Sequence, residues 1–549
     1  MKKILIFSTI LVILVVAGAV IYFNWRHNFI RNEVPQLVFL KSDSLYTISY
    51  GDVYIDEING EVRIDNILLK PDTTHKTDKD DILPRVMLEV FIPRLHMTGL
   101  HTEQAMLNEE LIARKLELTR PVLTLYRNYE DKEQVKKDKD EAGPADLYRA
   151  ILRNLLRIKI DSVLIDSGRY SMVQWVGRDT VLTGSPVTVS LFDLDIRDST
   201  RMDTTRVLFA KRANLRFDSL KINNDAGFYT YRILSAELNS EQKLLTVKNL
   251  FVVPLYGEAE FMRVMGKQID RFDVDFTNAR FTNIDVGQVL GGNLVADTLV
   301  VKEAVLKVFR DKNYPRRNVN KVGRYPHQLL MKSNMAISLK RIDIKSGYIE
   351  YKEKTDLTGN TGNIRFHNIA ISMTNFTNRP KDLRENPGCL VNLRAQFLNV
   401  LPVNITLRLY PAHVNGKFTA SGNLGSADAL VLNQLVQPLG LANIQSGKVN
   451  GCEFRLEGND YGASGTVKFL YSNLKVRLLE KGAEDGEYKK KGFASFLANA
   501  TIKDENPKKN KPPRIAHVNY KRDPNKSFFN LVWKTIFTGI GETVGIEAK

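Results

Sequence analysis

After Phe39 the chain alternates apolar and polar residues with a period of two, the pattern of strands that bury one face. Val53-Tyr54-Ile55-Asp56 and Val62-Arg63-Ile64-Asp65 show it first, and the stretches 192–197 and 272–276 repeat it with aspartates outward. Asn59-Gly60, Ser167-Gly168, Ser346-Gly347 and Ser446-Gly447 are expected to be turns, because glycine takes the positive φ that tight hairpins demand. The pattern predicts a mainly β chain, a meander of short antiparallel strands with a few short helices.

Aligning the Ser-Gly pairs exposes a further regularity. Ile158, Ile160, Val163 and Ile165 precede Ser167-Gly168, with Tyr170 and Met172 after it. At the same spacing Ile337, Leu339, Ile342 and Ile344 precede Ser346-Gly347, with Ile349 and Tyr351 after. Leu294, Ala296, Leu299, Val301, Leu306 and Val308 fit around Glu303-Ala304, and Leu111, Ala113, Leu116, Leu118, Leu123 and Leu125 fit around Arg120-Pro121. Leu215, Phe217, Leu220 and Ile222 match the first half only. The intervals are irregular, so this is not a strict tandem array but one unit reused: strand, brief break, strand, hairpin, strand.

Helices are predicted from Asp146 to Leu156, from Thr102 to Leu116 with Thr102 as N-cap, and from Ala427 to Leu439. Near the C-terminus Phe529, Val532, Trp533, Ile536, Phe537 and Ile540 mark one face of an amphipathic helix. Such a face suits a membrane interface, the capping of an open apolar groove, or packing on its own domain. Polar breaks divide the chain. The organisation expected is an anchor over 1–25, a β/α region over 26–130, a charged linker over 131–145 and β repeats over 146–310. A polar loop over 311–335, a β region over 336–505, a basic Pro-rich linker over 506–526 and the amphipathic segment 527–549 follow.

The anchor rests on Ile4 to Phe23, an uncharged run of 20 residues, the length that crosses a hydrocarbon core of roughly 30 Å. Lys2 and Lys3 ahead of it point to a cytoplasmic N-terminus and an exported body, although Arg26 and Arg31 weaken the asymmetry. A cleaved signal peptide is the rival reading, with Ala17-Gly18-Ala19 as its site. Val20 to Phe23 continue the apolar run and Trp25 follows as an interfacial aromatic, which favours a retained anchor. Either way the body lies across the membrane, so the net charge of +17 (79 basic against 62 acidic residues) does not point to nucleic acid. Anionic lipid headgroups and plain solubility both account for it. Two cysteines, Cys389 and Cys452, are too few for a disulfide framework.

No constellation for catalysis emerges, and an enzyme is not expected. The eight histidines are scattered, and His96 and His101 lack the spacing of a metal-ligand helix pair. No H-E-x-x-H, C-x-x-C or G-x-S-x-G occurs, so neither a metal nor a cofactor is expected. The run from Gly539 to Gly545 has the glycines of a phosphate loop but no lysine and no helix after it. Asp193/Asp195 and Asp273/Asp275 read as a solvated outer face.

The order of these parts resembles that of the AsmA-like envelope proteins. The resemblance lies in the N-terminal apolar run, in Gly51-Asp52-Val53-Tyr54-Ile55-Asp56, and in the passage from Arg85-Val86-Met87-Leu88 through Leu116-Glu117-Leu118-Thr119-Arg120-Pro121-Val122-Leu123. It continues in Leu441-Ala442-Asn443-Ile444-Gln445-Ser446-Gly447, in Phe454-Arg455-Leu456-Glu457-Gly458 and in Gly465-Thr466-Val467-Lys468-Phe469. The resemblance implies an elongated, curved antiparallel sheet forming a gutter with an apolar inner face. It also implies a single-pass protein of the inner membrane with its bulk in the periplasm. The work implied is phospholipid movement between membranes in support of outer-membrane biogenesis. The groove face would then be Leu116, Leu118, Leu123, Leu125, Ile158, Ile160, Val163, Ile165, Leu294, Leu299, Val301, Ile337, Leu339, Ile342, Ile344 and Ile349. Partners would be phospholipids, the inner membrane and outer-membrane or envelope proteins. The alternative is a membrane-tethered scaffold for envelope proteins, which transfers no lipid and uses exposed strand edges.

Overall fold

The computed structural model describes residues 46–72, 86–101, 110–127, 156–175, 179–200, 205–223, 227–355, 360–440, 442–478 and 503–545, together with Pro35, Gln36, Gly177 and Asp203. The expected anchor, the charged linker and the starts of the helices expected at Thr102 and Asp146 lie outside these residues. Among the described residues no helix is long and apolar enough to cross a membrane. The fold is mainly β, with 22 strands and a few short helices among the described residues. Two compact units divide it, residues 1–250 with 282–293, and residues 251–281 with 294–549.

The first unit holds β1 (Tyr46–Ser49), β2 (Val53–Asp56), β3 (Glu61–Pro71), β4 (Val86–Thr98), β5 (Glu110–Thr119), β6 (Val122–Arg127), β7 (Arg157–Gln174), β8 (Thr180–Ile196), β9 (Ala210–Asn223) and β10 (Tyr229–Asn239). β1 and β2 share one side of β3, and β4 takes the other. β5 and β6 both run antiparallel to β4 and parallel to β7. β8, β9 and β10 follow in antiparallel order. One apolar cluster seals the interior, drawing Ile64, Ile92, Leu95, Leu116, Leu118, Ile158, Ile160, Val163 and Leu191 fully out of water.

β11 (Leu244–Pro254) leads into the second unit, which contains β12 (Arg271–Thr282), β13 (Leu294–Asp311), β14 (Ile337–Lys354), β15 (Thr361–Thr377), β16 (Cys389–Phe397), β17 (Leu401–Leu409), β18 (Phe418–Leu424), β19 (Ala427–Asp428), β20 (Ala442–Gly458), β21 (Gly462–Leu478) and β22 (Ala516–Lys521). β13 and β14 are parallel. From β14 to β18 each strand pairs antiparallel with the next, then β18 and β19 both pair with β20, followed by β21 and β22. Three helices matter below: α1 (Pro326–Met331), α2 (Asn433–Gly440) and α3 (Phe528–Val544).

The sheet is mixed, and its longest strands run 18 residues, so the expected meander of short antiparallel strands is corrected. Asn59-Gly60 does make a turn, with Gly60 at φ +61° ahead of β3. The Ser-Gly pairs do not. Ser167-Gly168, Ser346-Gly347 and Ser446-Gly447 lie inside β7, β14 and β20. The register shifts beside Gly168 and between Ser446 and Lys448, the behaviour of bulges that bend a strand without ending it. Gly447 has φ +129°, and a Cβ there would sit 2.8 Å from the Leu474 Cα. The residues from Glu110 onward, expected to close a helix, form β5. Residues 516–521, expected as linker, form β22.

The sequence alignment of repeats has a direct structural meaning. Leu111, Ala113, Leu116, Leu118, Leu123 and Leu125 are the register partners of Ile158, Ile160, Val163, Ile165, Tyr170 and Met172. Leu294, Ala296, Leu299, Val301, Leu306 and Val308 are likewise the partners of Ile337, Leu339, Ile342, Ile344, Ile349 and Tyr351. Each pair of copies lies side by side in parallel, so like residues stack at the same height. A parallel pair needs a crossover between its strands, and residues 312–336 supply one between β13 and β14.

Candidate functional site

Register carries apolar rows across the second unit. One row runs Leu299, Ile342, Met373, Val391, Leu407, Ala420 and Leu456. Another runs Val301, Ile344, Ile371, Leu393, Ile405, Gly422, Phe454 and Val467. Period-two geometry puts each row on one face of the sheet. Over β18 to β22 that face is sealed, with Ala420, Leu456 and Val467 buried in a cluster with Phe528 and Leu531 of α3. Over β14 and part of β15 it is not: Ile342, Ile344, Ile349, Ile371 and Met373 are only half-buried, whereas Ile364 and Phe366 pack on the cluster of Phe397, Leu401 and Leu435 beside α2. Phe272 of β12 is 42% exposed.

The expected groove residues therefore divide. Leu116, Leu118, Leu123, Leu125, Ile158, Ile160, Val163 and Ile165 belong to the sealed core of the first unit. There the rows are filled by their own side chains. Leu339 and Val301 are also buried. Leu294, Leu299, Ile337, Ile342, Ile344 and Ile349 keep part of their surface in water.

α3 begins at the N-cap Ser527, whose side chain accepts from the Asn530 N–H. It docks on β21 and β22 through Phe528, Leu531, Thr535 and Gly539, with Val532, Ile536 and Ile540 at the edge of the same core. A Cβ on Gly539 would meet the Val467 side chain at 2.5 Å, so the absent side chain is what lets the helix approach. Of the six expected membrane-contact residues, Phe529 and Trp533 are exposed, at 67% and 39%. Phe537 stacks beside Trp533 with ring centroids 5.8 Å apart. The glycines from Gly539 to Gly545 belong to this helix and its C-cap, and form no phosphate loop.

One buried polar node fixes the crossover to the end of the sheet. Arg522 and Asp460 pair at 2.6 Å with side chains 2% and 4% exposed. Asp460 also accepts from the Gly323 N–H at 3.1 Å and from Gln328 Nε2 at 2.6 Å. Arg522 donates to the carbonyls of Lys321 and Lys526 and lies 4.2 Å from the Tyr325 ring centroid. Tyr325 in turn donates to the Asn459 carbonyl and packs edge-on against Phe418 and Phe528. Thus the crossover after β13, the β20–β21 turn and the start of α3 meet at one point.

Beside it His327 is buried among the Tyr325 and Phe528 rings, and burial lowers its pKa below the ordinary histidine value. The unfolded chain binds a proton from about pH 6.5 downward while the folded site still resists it, so stability falls as pH drops below that value. Urea titrations between pH 7.5 and 5, about the window set by the histidine pKa, should show this decline. They should show it much reduced in His327→Phe, with Asp460 and the two rings unchanged around it.

The Asp193/Asp195 pair is structural. Asp195 is buried and held by Arg157 at 2.9 and 3.1 Å and by Arg197 at 3.2 Å, not solvated as its alternation suggests. Asp193 has φ +53° and lies 3.5 Å from Arg206. Among the described residues no group of acids, histidines and cysteines is placed to hold a metal ion. Cys389 and Cys452 are free, and burial pushes both thiols up to about 12.

One feature escaped sequence reading. Arg310 at the end of β13 and Lys312, Arg316, Arg317, Lys321 and Arg324 of the expected polar loop stand against Asp311 alone in residues 310–324, and the fold sets Lys526 and Lys534 beside them. The density of basic residues was the available signal; their convergence with α3 was not. No protein-family model matches the chain, and no curated protein matches it.

Proposed function

We propose that this protein is an inner-membrane-anchored, AsmA-like envelope protein that handles phospholipids along an apolar β-groove, and that it is not an enzyme. The observation that carries the reading is the contrast along one set of rows. The same apolar register that α3 seals over β18 to β22 is only half-buried at Leu299, Ile342, Ile344, Ile371 and Met373 of β13 to β15. From β13 to β15 a row spans roughly 10 Å at the usual strand spacing, enough to support part of an acyl chain. Covering such a row would gain about 0.8 kcal/mol for each methylene removed from water. Moving a lipid breaks no bond, which fits a chain without a recognisable catalytic constellation. Residues 4–23 would anchor it, with the body in the periplasm.

Native mass spectrometry with lipid extraction on the full chain tests this. Several phospholipids per chain should co-purify. The double variant Ile342→Glu/Ile344→Glu should lose them by about tenfold or more, since a charge on an acyl path costs several kcal/mol, while its circular dichroism stays unchanged. A lipid-free mass for the unaltered chain would overturn the groove and favour the tethered scaffold.

A further inference from the structure

The cationic cluster lies where the half-exposed rows end. Leu306, Val308, Arg310 and Lys312 follow one another at period two, so the basic pair continues the apolar face of β13. Arg310 is gripped by Asp270 at 2.6 and 2.7 Å, and Lys312 by Glu353. The Arg522 fork, bonded to the Lys321 and Lys526 carbonyls at 2.7 and 3.3 Å, holds the two basic loops together.

Each remaining lysine faces further cations. Burial first, then Arg310, holds the Lys321 ammonium below the ordinary lysine range; burial and Arg316 do so for Lys526, burial and Lys312 for Lys534. Asp270, Glu353 and Asp523 face this group in return. Like charges kept this close are self-repelling unless an anion joins them. The exposed rings of Phe529 and Trp533 flank the same lysines along α3, and Lys534 lies 5.8 Å from the Phe537 ring centroid. Aromatic rings interleaved with lysines are the usual furniture of a lipid headgroup boundary.

We propose that Lys321, Lys526 and Lys534, with Arg310 and Lys312 behind them, bind the phosphate of an anionic lipid headgroup whose acyl chains lie on the half-exposed rows. This rests on the groove reading and adds a selectivity to it. Inorganic phosphate shares the chemistry, and the test separates the two.

The full chain in detergent is titrated with an equimolar mixture of phosphatidylglycerol and phosphatidylcholine and read by native mass spectrometry. Phosphatidylglycerol should be retained over phosphatidylcholine by about tenfold or more, since each lysine near the headgroup favours the anionic lipid. In K526Q/K534Q the two lipids should bind equally with total lipid unchanged, and K526R/K534R should restore the preference. No preference in the unaltered chain, or one that survives K526Q/K534Q, overturns the site while the bound lipid leaves the groove standing. No bound lipid of either kind overturns the groove, and the lipid site with it. Phosphorus NMR with inorganic phosphate closes the remaining case. Line broadening by the unaltered chain, lost in K526Q/K534Q and unaccompanied by any lipid preference, assigns the cluster to free phosphate and overturns the lipid source.

Discussion

Asp460→Ala should cost about 3–5 kcal/mol, the penalty of leaving a buried cation without its partner. Arg522 would keep its guanidinium 2% exposed with no carboxylate beside it. Gln328 Nε2 and the Gly323 N–H would lose their acceptor at the same time. Against a total stability of about 5–15 kcal/mol, that is enough to loosen the crossover and α3 together. Urea unfolding measures it as a fall in midpoint. The double variant Asp460→Leu/Arg522→Met should recover much of the loss, because replacing both charges leaves no uncompensated ion. If the single and double variants were equally unstable, the node would owe its role to packing around Tyr325 rather than to the ion pair.

Ile160→Glu should unfold the first unit, whereas Ile344→Glu should leave the second unit folded. Both residues belong to the same repeated set of apolar positions, Ile160 the second of its copy and Ile344 the fourth, yet their surroundings differ. Ile160 is 0% exposed between Ala113 and Leu194, so a carboxylate there has neither water nor a partner. Burial of an unpaired charge together with the lost packing costs about 5 kcal/mol or more. Ile344 is half-buried between Val301 and Ile371, and its replacement can turn a carboxylate toward water. Far-UV circular dichroism and limited proteolysis distinguish the outcomes. A folded Ile160→Glu would mean that the first unit also opens its apolar face.

Much of the strand content was legible because alternation is a local property. Leu111 to Leu125 and Ile158 to Met172 could be aligned by eye, and the alignment anticipated which residues share a height in the sheet. It did not reveal whether those strands are neighbours or run parallel, since that depends on where the intervening segment returns. Nor did it separate Ile160 from Ile344. Both are isoleucines in one pattern, and only the elements stacked on the face decide which meets water. The Ser-Gly pairs misled for a related reason. Glycine lets the backbone turn, but it equally lets a long strand bulge, and the 17 or 18 residues of β20, β7 and β14 bridge the break. The Asp460–Arg522 node joins residues 62 positions apart, beyond the reach of any local pattern. The terminal helix was visible, but its docking face was not. Gly539 reads as a helix breaker in sequence and serves as the contact point in the fold.

The two native thiols are chemically silent, which makes this chain ready for spectroscopic labelling. Cys389 and Cys452 are the only cysteines in the sequence, both are buried, and both hold their protons to about pH 12. Thiolate is the form that reacts with maleimides and methanethiosulfonates, so neither should take up probe from the folded protein. A single cysteine placed at Ser346 or Ser372, both off the core, can then carry a spin label or a fluorophore against an unmodified background.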